Sequence, residues 1–388
     1  MSCLPKNWKR FVSIIFFLSC ICLYPQTITF HKIENMIDSV SSINLGKHIK
    51  SLSNAGGHFS RVNYTPGNDS ALIYIYKYLT SLNNLSSVQL DTFYIPSATP
   101  PLNSKPLFNV VATIKGNGDS TGYYIIGAHL DCSASRMGSS IWDQQWRTLK
   151  APGADDNATG VALLLEAARI LSDTSFGFKS DYSIKFIAFG AEESGPAYNG
   201  SHYGSTHYAQ KAKSVNERIL GMFSLDMIGY NNSYDYTSIV SNSLSSWLGE
   251  KLIDANNLYS IGLKLNSPPF PEATYSDHAS FWNEGYRAVL IIENAPPWDS
   301  IPLYKANPFY HTSSDSFSTL NMNLVNKVAK LSLATVASLG ARLTDVKEFK
   351  EETLPDKFYL SQNYPNPFNP TTFIDYSLPY GGIVSIKV

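Results

Sequence analysis

The chain has 388 residues and a formal net charge of −1, from 30 Lys and Arg against 31 Asp and Glu. At roughly 150 residues per domain, this length predicts two or three domains. The near-zero charge offers no basic surface for phosphate backbones, which argues against a nucleic-acid partner. Hydrophobic residues make up 44% of the chain, which is typical of a folded protein and excludes a largely disordered one.

The N-terminus has the pattern of a secretory signal peptide. Lys and Arg residues precede an uncharged, mostly apolar run over residues 11–24, and this order matches a basic n-region and an apolar h-region. The run is shorter than the roughly 20 residues that a membrane-spanning helix needs. We therefore expect residues 1–26 to be cleaved, the mature chain to lack a transmembrane span, and the protein to be secreted or at the cell surface. Cleavage leaves Cys132 without a partner for an internal disulfide.

Between residues 27 and 344, β-branched apolar runs alternate with helical patterns. These patterns predict strands at 87–94, 109–114, 123–128, 183–189, 221–226 and 288–293, and helices at 70–82, 159–171, 245–256 and 322–343. Several strand runs are apolar at consecutive positions, as in sheets that helices cover on both faces. We therefore predict one α/β domain with a mixed, mostly parallel central sheet and helices on both faces.

Acidic and imidazole side chains stand at the ends of three predicted strands. These residues are His129, Asp131, Glu192, Glu193 and Asp226. Because the carboxyl ends of parallel strands meet at one edge of a sheet, we expect these side chains to share a crevice. So many carboxylates would repel one another unless cations neutralise them. The pattern therefore predicts a divalent metal site.

Two more segments complete the candidate site. An Asp-Asp pair that ends at Asp156 leads into the helix predicted next, and a later histidine is the remaining ligand candidate. From the residues alone, both His278 and His311 qualify, since spacing does not separate them. Asp277 and Asp315, which lie near these two histidines, are expected to shape the pocket or support the ligands.

In chain order, the site reads His-x-Asp, Asp-Asp, Glu-Glu, Asp and then Tyr-His-Thr-Ser-Ser-Asp. This order resembles the co-catalytic di-zinc aminopeptidases of peptidase family M28, over residues 61–343. The resemblance implies the zinc exopeptidase fold, two Zn²⁺ ions, and hydrolysis of N-terminal amino acids from peptide substrates by a zinc-activated water. It makes Asp156 the carboxylate that bridges the two metals. The implied metal ligands are His129, Asp156, Glu193, Asp226 and His311.

The resemblance also assigns supporting roles. Glu192 is implied as the general base, and adjacent side chains on an extended segment point to opposite sides, so Glu193 can bind metal while Glu192 faces the substrate. Asp131, on the same side of its strand as His129, is expected to accept the second N–H of that imidazole. The remaining histidines are expected to be surface or packing residues: His31, His48, His58, His202 and His207.

Apolar residues beside the motifs are candidates for lining a substrate side-chain pocket, which favours large apolar N-terminal residues as substrates. They are Met227, Ile228, Phe270, Tyr275, Phe281 and Trp282. Two alternatives to the di-zinc aminopeptidase stay open. A glutaminyl-cyclase-like enzyme on the same fold would use one zinc, and a non-catalytic surface-binding module would not cleave aminoacyl amides.

The C-terminal segment has a different character. Residues 345–357 are rich in charge and contain Pro355, as in an exposed linker. The following stretch contains Tyr-Pro-Asn-Pro-Phe-Asn-Pro and two short alternating runs typical of strands. It resembles the start of the β-sandwich-like sorting domain that directs cargo to the type IX secretion machinery. We therefore expect residues 358–388 to be part of such a domain, with the chain stopping inside it.

Overall fold

The computed structural model describes residues 29–231, 233–341, 357–363, 366–367 and 376–377. The predicted signal peptide lies outside the described residues, as do most of the predicted linker and most of the predicted sorting domain. Chain contacts define two units, of which one is Gln26–Arg342 and the other combines the two ends of the chain. In the second unit, Tyr359–Leu360 pairs with Tyr376–Ser377 as antiparallel strands. Among the described residues, no helix is long and apolar enough to cross a membrane.

The unit Gln26–Arg342 contains a sheet of eight strands. They are β1 (Ser87–Phe93), β2 (Leu107–Ile114), β3 (Gly122–His129), β4 (Ser183–Phe189), β5 (Arg218–Leu225), β6 (Tyr236–Val240), β7 (Lys264–Asn266) and β8 (Ala288–Ile292). The described helices are α1 (residues 29–38), α2 (Ser42–Ser53), α3 (Pro66–Ser81), α4 (Ser139–Gln145), α5 (Gly160–Leu171), α6 (Tyr203–Ser214), α7 (Ser246–Leu258), α8 (His278–Asn283) and α9 (Met322–Gly340).

The strand order is β1-β2-β4-β3-β5-β8-β6-β7. The central strands β4, β3, β5 and β8 are parallel to one another, and β6 and β7 are parallel. The pairs β1–β2, β2–β4 and β6–β8 are antiparallel. The predicted mixed, mostly parallel sheet is therefore confirmed, and the carboxyl ends of its four central strands meet at one edge.

Helices cover both faces of the sheet, as predicted. Alternate residues of β3 belong to different buried clusters, because successive side chains of a strand point to opposite faces. Ile126 packs in the cluster that contains α2, α5 and α9, while Ile125 packs with residues of α6 and α8. In α5 every residue except Arg169 is buried, in agreement with its apolar sequence on all sides.

The predicted element bounds differ from the structure mainly at helix ends. Helix α3 begins at Pro66 rather than at residue 70, because the Thr65 side chain accepts the N–H of Asn68 and a proline suits the first helical turn. Strand β4 has the predicted bounds, and β5 starts earlier than predicted. The short strands β6 and β7 and the helices α1, α2, α4, α6 and α8 were absent from the prediction.

Candidate metal centre

The candidate site lies at the carboxyl edge of the parallel strands. His129 is the last residue of β3 and pairs in register with Phe189, the last residue of β4. Asp226 directly follows β5, which pairs with β3 on its other side. The sheet itself therefore brings His129 and Asp226 to the same edge, as the sequence predicts.

His129, Asp156 and Asp226 form the first of two groups of ligand-type side chains. Nε2 of His129 lies 3.2 Å from Oδ1 of Asp156 and 3.3 Å from Oδ1 of Asp226. One ligand atom from each residue lies within 4.8 Å of the others. All three residues are buried, with exposed fractions of 1%, 4% and 6%. A metal ion bound by this group would be almost enclosed by protein.

Asp156, Glu193 and His311 form the second group. Nε2 of His311 lies 3.0 Å from Oδ2 of Asp156 and 2.9 Å from Oε1 of Glu193. Asp156 therefore belongs to both groups and turns a different oxygen toward each histidine. This is the arrangement that a carboxylate bridging two metal ions requires.

The loop that carries Asp156 is held at both sides. Asp315 accepts the backbone N–H of Asp155 at 2.9 Å and that of Asp156 at 3.1 Å. The Asn157 amide donates to the carbonyl of Leu225, at the end of β5, at 2.7 Å. Asp315 thus has the supporting position expected from the sequence, through backbone N–H groups.

Asp131 makes contacts in addition to the one predicted. Its two oxygens accept the backbone N–H groups of Glu192 and Glu193, each at 3.1 Å, and Oδ2 also accepts from the Asn63 amide at 2.6 Å. Nδ1 of His129 is 3.6 Å from Oδ1 of Asp131 and makes no hydrogen bond. Asp131 therefore faces the imidazole of His129 at ion-pair distance while its oxygens orient the Glu-Glu segment, and a hydrogen bond between the two side chains stays a prediction.

His311 lies in the loop between β8 and α9, in a left-handed backbone conformation with φ of 55°. Its Nδ1 lies 3.0 Å from the Ser135 hydroxyl, and its ring stacks on Tyr310 with centroids 3.8 Å apart. Its carbonyl accepts the N–H of Arg136 at 3.0 Å. Residues that follow β3 therefore set the orientation of this histidine.

The charges in the two groups do not balance. Burial raises the pKa of Glu193 to about 8 and also raises the pKa of Asp226. Burial acts in the same direction on Asp156, but the imidazoles of His129 and His311 hold its pKa well below the usual value. Burial lowers the pKa of His311, whereas Glu193 and Asp156 raise it to about 10. The three carboxylates of the two groups have only two imidazoles as positive partners, so added cations would stabilise their ionised forms.

These side chains fit divalent metal ions. Oε1 of Glu193 makes no hydrogen bond although Nε2 of His311 is 2.9 Å away, so the two atoms are not aligned for a hydrogen bond. Imidazole nitrogen and carboxylate oxygen are ligand types that zinc binds in catalytic sites. Each group supplies three such ligands and leaves room for a water or substrate.

A pocket of about 290 Å³ opens over the two groups. Tyr275, Trp298 and Tyr310 form an aromatic wall, with Tyr275 and Trp298 ring centroids 5.4 Å apart. Of the residues proposed from sequence to line a pocket, Met227 and Tyr275 do so. The other four pack in the interior: Ile228, Phe270, Phe281 and Trp282.

The structure also places three residues whose roles the sequence left open or assigned differently. His278 is in neither ligand group, because it is fully buried and its Nε2 lies 2.8 Å from the Ala273 carbonyl. Cys132 is buried and donates to the Ala151 carbonyl at 3.0 Å. His202, expected to be a surface or packing residue, instead lines the pocket and lies 2.9 Å from Glu192. The one sequence signal for His202 was its place on the loop that follows the Glu-Glu pair.

Comparisons with known proteins identify the family. Residues 109–336 match the model of Peptidase family M28. A probable leucine aminopeptidase of Arthroderma otae is 28% identical over 241 residues, which cover 60% of this chain and 57% of that protein. The chain thus spans less than two thirds of the length of this relative.

Two solved structures share the fold. The LapA aminopeptidase of Legionella pneumophila superposes with a TM-score of 0.60 at 20% identity, over 80% of this chain and 75% of that one. The glutaminyl cyclase of Porphyromonas gingivalis gives a TM-score of 0.59 at 19% identity, over 77% of this chain and 99% of that one. Since both activities occur on this fold, the side chains of the site have to distinguish them.

Proposed function

Because the family model matches more than half of its residues, the chain belongs to peptidase family M28, and we propose that it is an aminopeptidase that binds two zinc ions and removes N-terminal amino acids from peptides. One observation carries the proposal. Asp156 is shared by two groups of three ligand-type side chains. A single-zinc enzyme would need only one such group.

The proposed ligands of one zinc are His129, Asp156 and Asp226, and those of the other are Asp156, Glu193 and His311. When bound, the ions supply Lewis acidity, which lowers the pKa of water and polarises a carbonyl group. The protein supplies a buried, preorganised ligand set, since the N–H groups of Glu193 and Asp156 are both held by carboxylates. Such supporting contacts fix ligand orientation before the metal binds.

Glu192 is the proposed general base. It directly precedes Glu193, lines the pocket and is in neither ligand group, so its carboxylate is available to accept the proton of the attacking water. It then delivers that proton to the nitrogen of the leaving amine as the peptide bond breaks. The aromatic wall of Tyr275, Trp298 and Tyr310 suits a large apolar side chain at the substrate N-terminus.

Zinc content and one substitution test this proposal. Purified protein should bind two zinc ions per chain by elemental analysis and should hydrolyse leucyl amides. Glu192→Gln should retain both ions and lose turnover by roughly 10²–10⁴-fold, because proton transfer loses its acceptor. One zinc per chain together with cyclisation of N-terminal glutamine would favour a glutaminyl-cyclase-like enzyme instead. Full zinc loading without cleavage of any aminoacyl amide would favour a non-catalytic binding module.

We also propose that the protein is exported and reaches the medium or the cell surface through type IX secretion. The support is in the sequence, from the basic and apolar N-terminal pattern and the Tyr-Pro-Asn-Pro-Phe-Asn-Pro segment. In a host with type IX machinery, the mature protein should begin near residue 27 by N-terminal sequencing. Deleting residues 358–388 should keep it inside the outer membrane. Surface delivery of the deleted form would contradict the role of this segment.

A further inference from the structure

His202 lies directly beside Glu192, because the loop between β4 and α6 folds back along the residues that end β4. Three backbone hydrogen bonds hold the two segments side by side. They run from the N–H of His202 to the carbonyl of Glu192 at 2.8 Å, from Tyr203 to Ala191 at 2.8 Å, and from Gly204 to Gly190 at 3.0 Å. The position of His202 is thus fixed by the backbone and does not depend on its side chain finding a partner.

The side chain of His202 contacts the proposed base. Its Nε2 lies 2.9 Å from Oε1 of Glu192, and the two side chains are 18% and 8% exposed. Burial lowers the pKa of His202, but the carboxylates of Glu192 and Asp277 and the backbone of Tyr275 together raise it to about 9. At neutral pH the ring is therefore an imidazolium, which donates hydrogen bonds from both nitrogens.

The backbone at His202 has a conformation that is uncommon for residues other than glycine. Its φ is 60°, in the left-handed region that favours glycine. A glycine would fit this backbone more easily but would provide no imidazole. The side chain also lines the pocket above the ligand groups. The uncommon backbone conformation thus places an imidazole in the wall of the pocket.

We propose that His202 is a positioning residue for the general base, which donates Nε2–H to Oε1 of Glu192 and leaves Oε2 to accept the proton of the attacking water. The inference rests on the proposed function, since it takes Glu192 as the base. A donor fixed at one oxygen restricts rotation of the carboxylate and leaves its other oxygen facing the pocket. Outer partners of this kind typically account for 10- to 100-fold in activity.

Two substitutions separate the contribution of the His202 side chain from that of its backbone conformation. His202→Gly suits the left-handed conformation, so the protein should fold while losing the imidazole. We expect its kcat on leucyl p-nitroanilide to fall roughly 10- to 100-fold, with KM and zinc content unchanged. His202→Gln retains an N–H donor without the charge, and its kcat should lie between those of His202→Gly and the wild type.

His207, on the helix α6 that begins just after His202, provides a matched control. Its Nε2 lies 3.4 Å from the carboxylate of Asp91, away from Glu192, so His207→Gln should keep the wild-type kcat. A rise in KM at unchanged kcat in His202→Gly would make His202 a substrate-binding residue and overturn the proposal. Loss of zinc in the same variant would also overturn it, because His202 would then act on the metal centre.

A second readout does not depend on activity. The titration of His202, followed by NMR of labelled imidazoles in the zinc-loaded protein, should shift to lower pH by at least about one unit in Glu192→Gln, since a charged partner is removed. An unchanged titration would overturn the contact. Full turnover in Glu192→Gln would overturn the base assignment and this inference together. Full turnover in His202→Gly, with Glu192→Gln inactive, would overturn this inference alone.

Discussion

The two halves of the metal centre are built in different ways. In the first half, His129 ends β3 and Asp226 follows β5, so both side chains are placed by neighbouring strands of the sheet. In the second half, Glu193 follows β4 on a loop and His311 lies on the long loop after β8. The first histidine is 1% exposed, whereas the side chain of the second is 15% exposed. The sheet thus determines one half, and loop contacts determine the other.

This difference has a physical consequence. In the strand-built half, His129 is held by the pairing of β3 with β4. The loop-built half depends on a few local contacts, such as those of Ser135 and Tyr310 with His311. We therefore expect changes in the first half to alter the stability of the fold. Changes in the second half should alter mainly zinc affinity and the access of substrate to the site. Four substitutions test this division.

The largest effect is expected from Asp156→Ala, because Asp156 belongs to both halves. Without the shared carboxylate, each half retains only two ligands, so zinc content should fall toward zero. Activity should drop by at least about 10³-fold, since the metal ions contribute several kcal/mol to transition-state stabilisation. Elemental analysis measures the zinc content, and leucyl amide hydrolysis measures the activity. Asp254→Ala, at an exposed position of α7, is the control. A variant that keeps one full equivalent of zinc would show that the halves do not share this residue.

A smaller effect, a difference in stability loss between two histidine variants, should distinguish the two halves. His129→Ala leaves Asp156 and Asp226 buried without their imidazole, which should cost on the order of 3 kcal/mol of stability in the zinc-free protein. His311→Ala should cost less, because water reaches its more exposed position. Denaturant unfolding of both zinc-free variants makes the comparison. Equal losses of stability would mean that the strand-built half is no more tightly coupled to the fold than the loop-built half.

The same division explains what the sequence could predict. Parallel strands covered on both faces have continuous apolar runs, so β3, β4 and β5 and the polar residues at their ends were identifiable. The contacts of Asp131 with the backbone N–H groups of Glu192 and Glu193 were not, because such contacts have no sequence signature. The position of His202 depends on backbone hydrogen bonds between distant parts of a loop. In the sequence, only a family resemblance favoured His311 over His278 as the metal ligand. The structure adds a local reason, because Nε2 of His278 already contacts the Ala273 carbonyl.

The smallest effect is expected from Ser135→Ala, which acts on the loop-built half alone. The Ser135 hydroxyl lies 3.0 Å from Nδ1 of His311, whereas Nδ1 of His129 has no hydrogen-bond partner among the described residues. Losing an outer contact of this kind typically weakens metal binding by about 10-fold. Competition with a zinc chelator should therefore show one weakened site and one unchanged site per chain. Equal weakening of both sites would mean that the bridging Asp156 transmits the change, and the two halves would then respond as one unit.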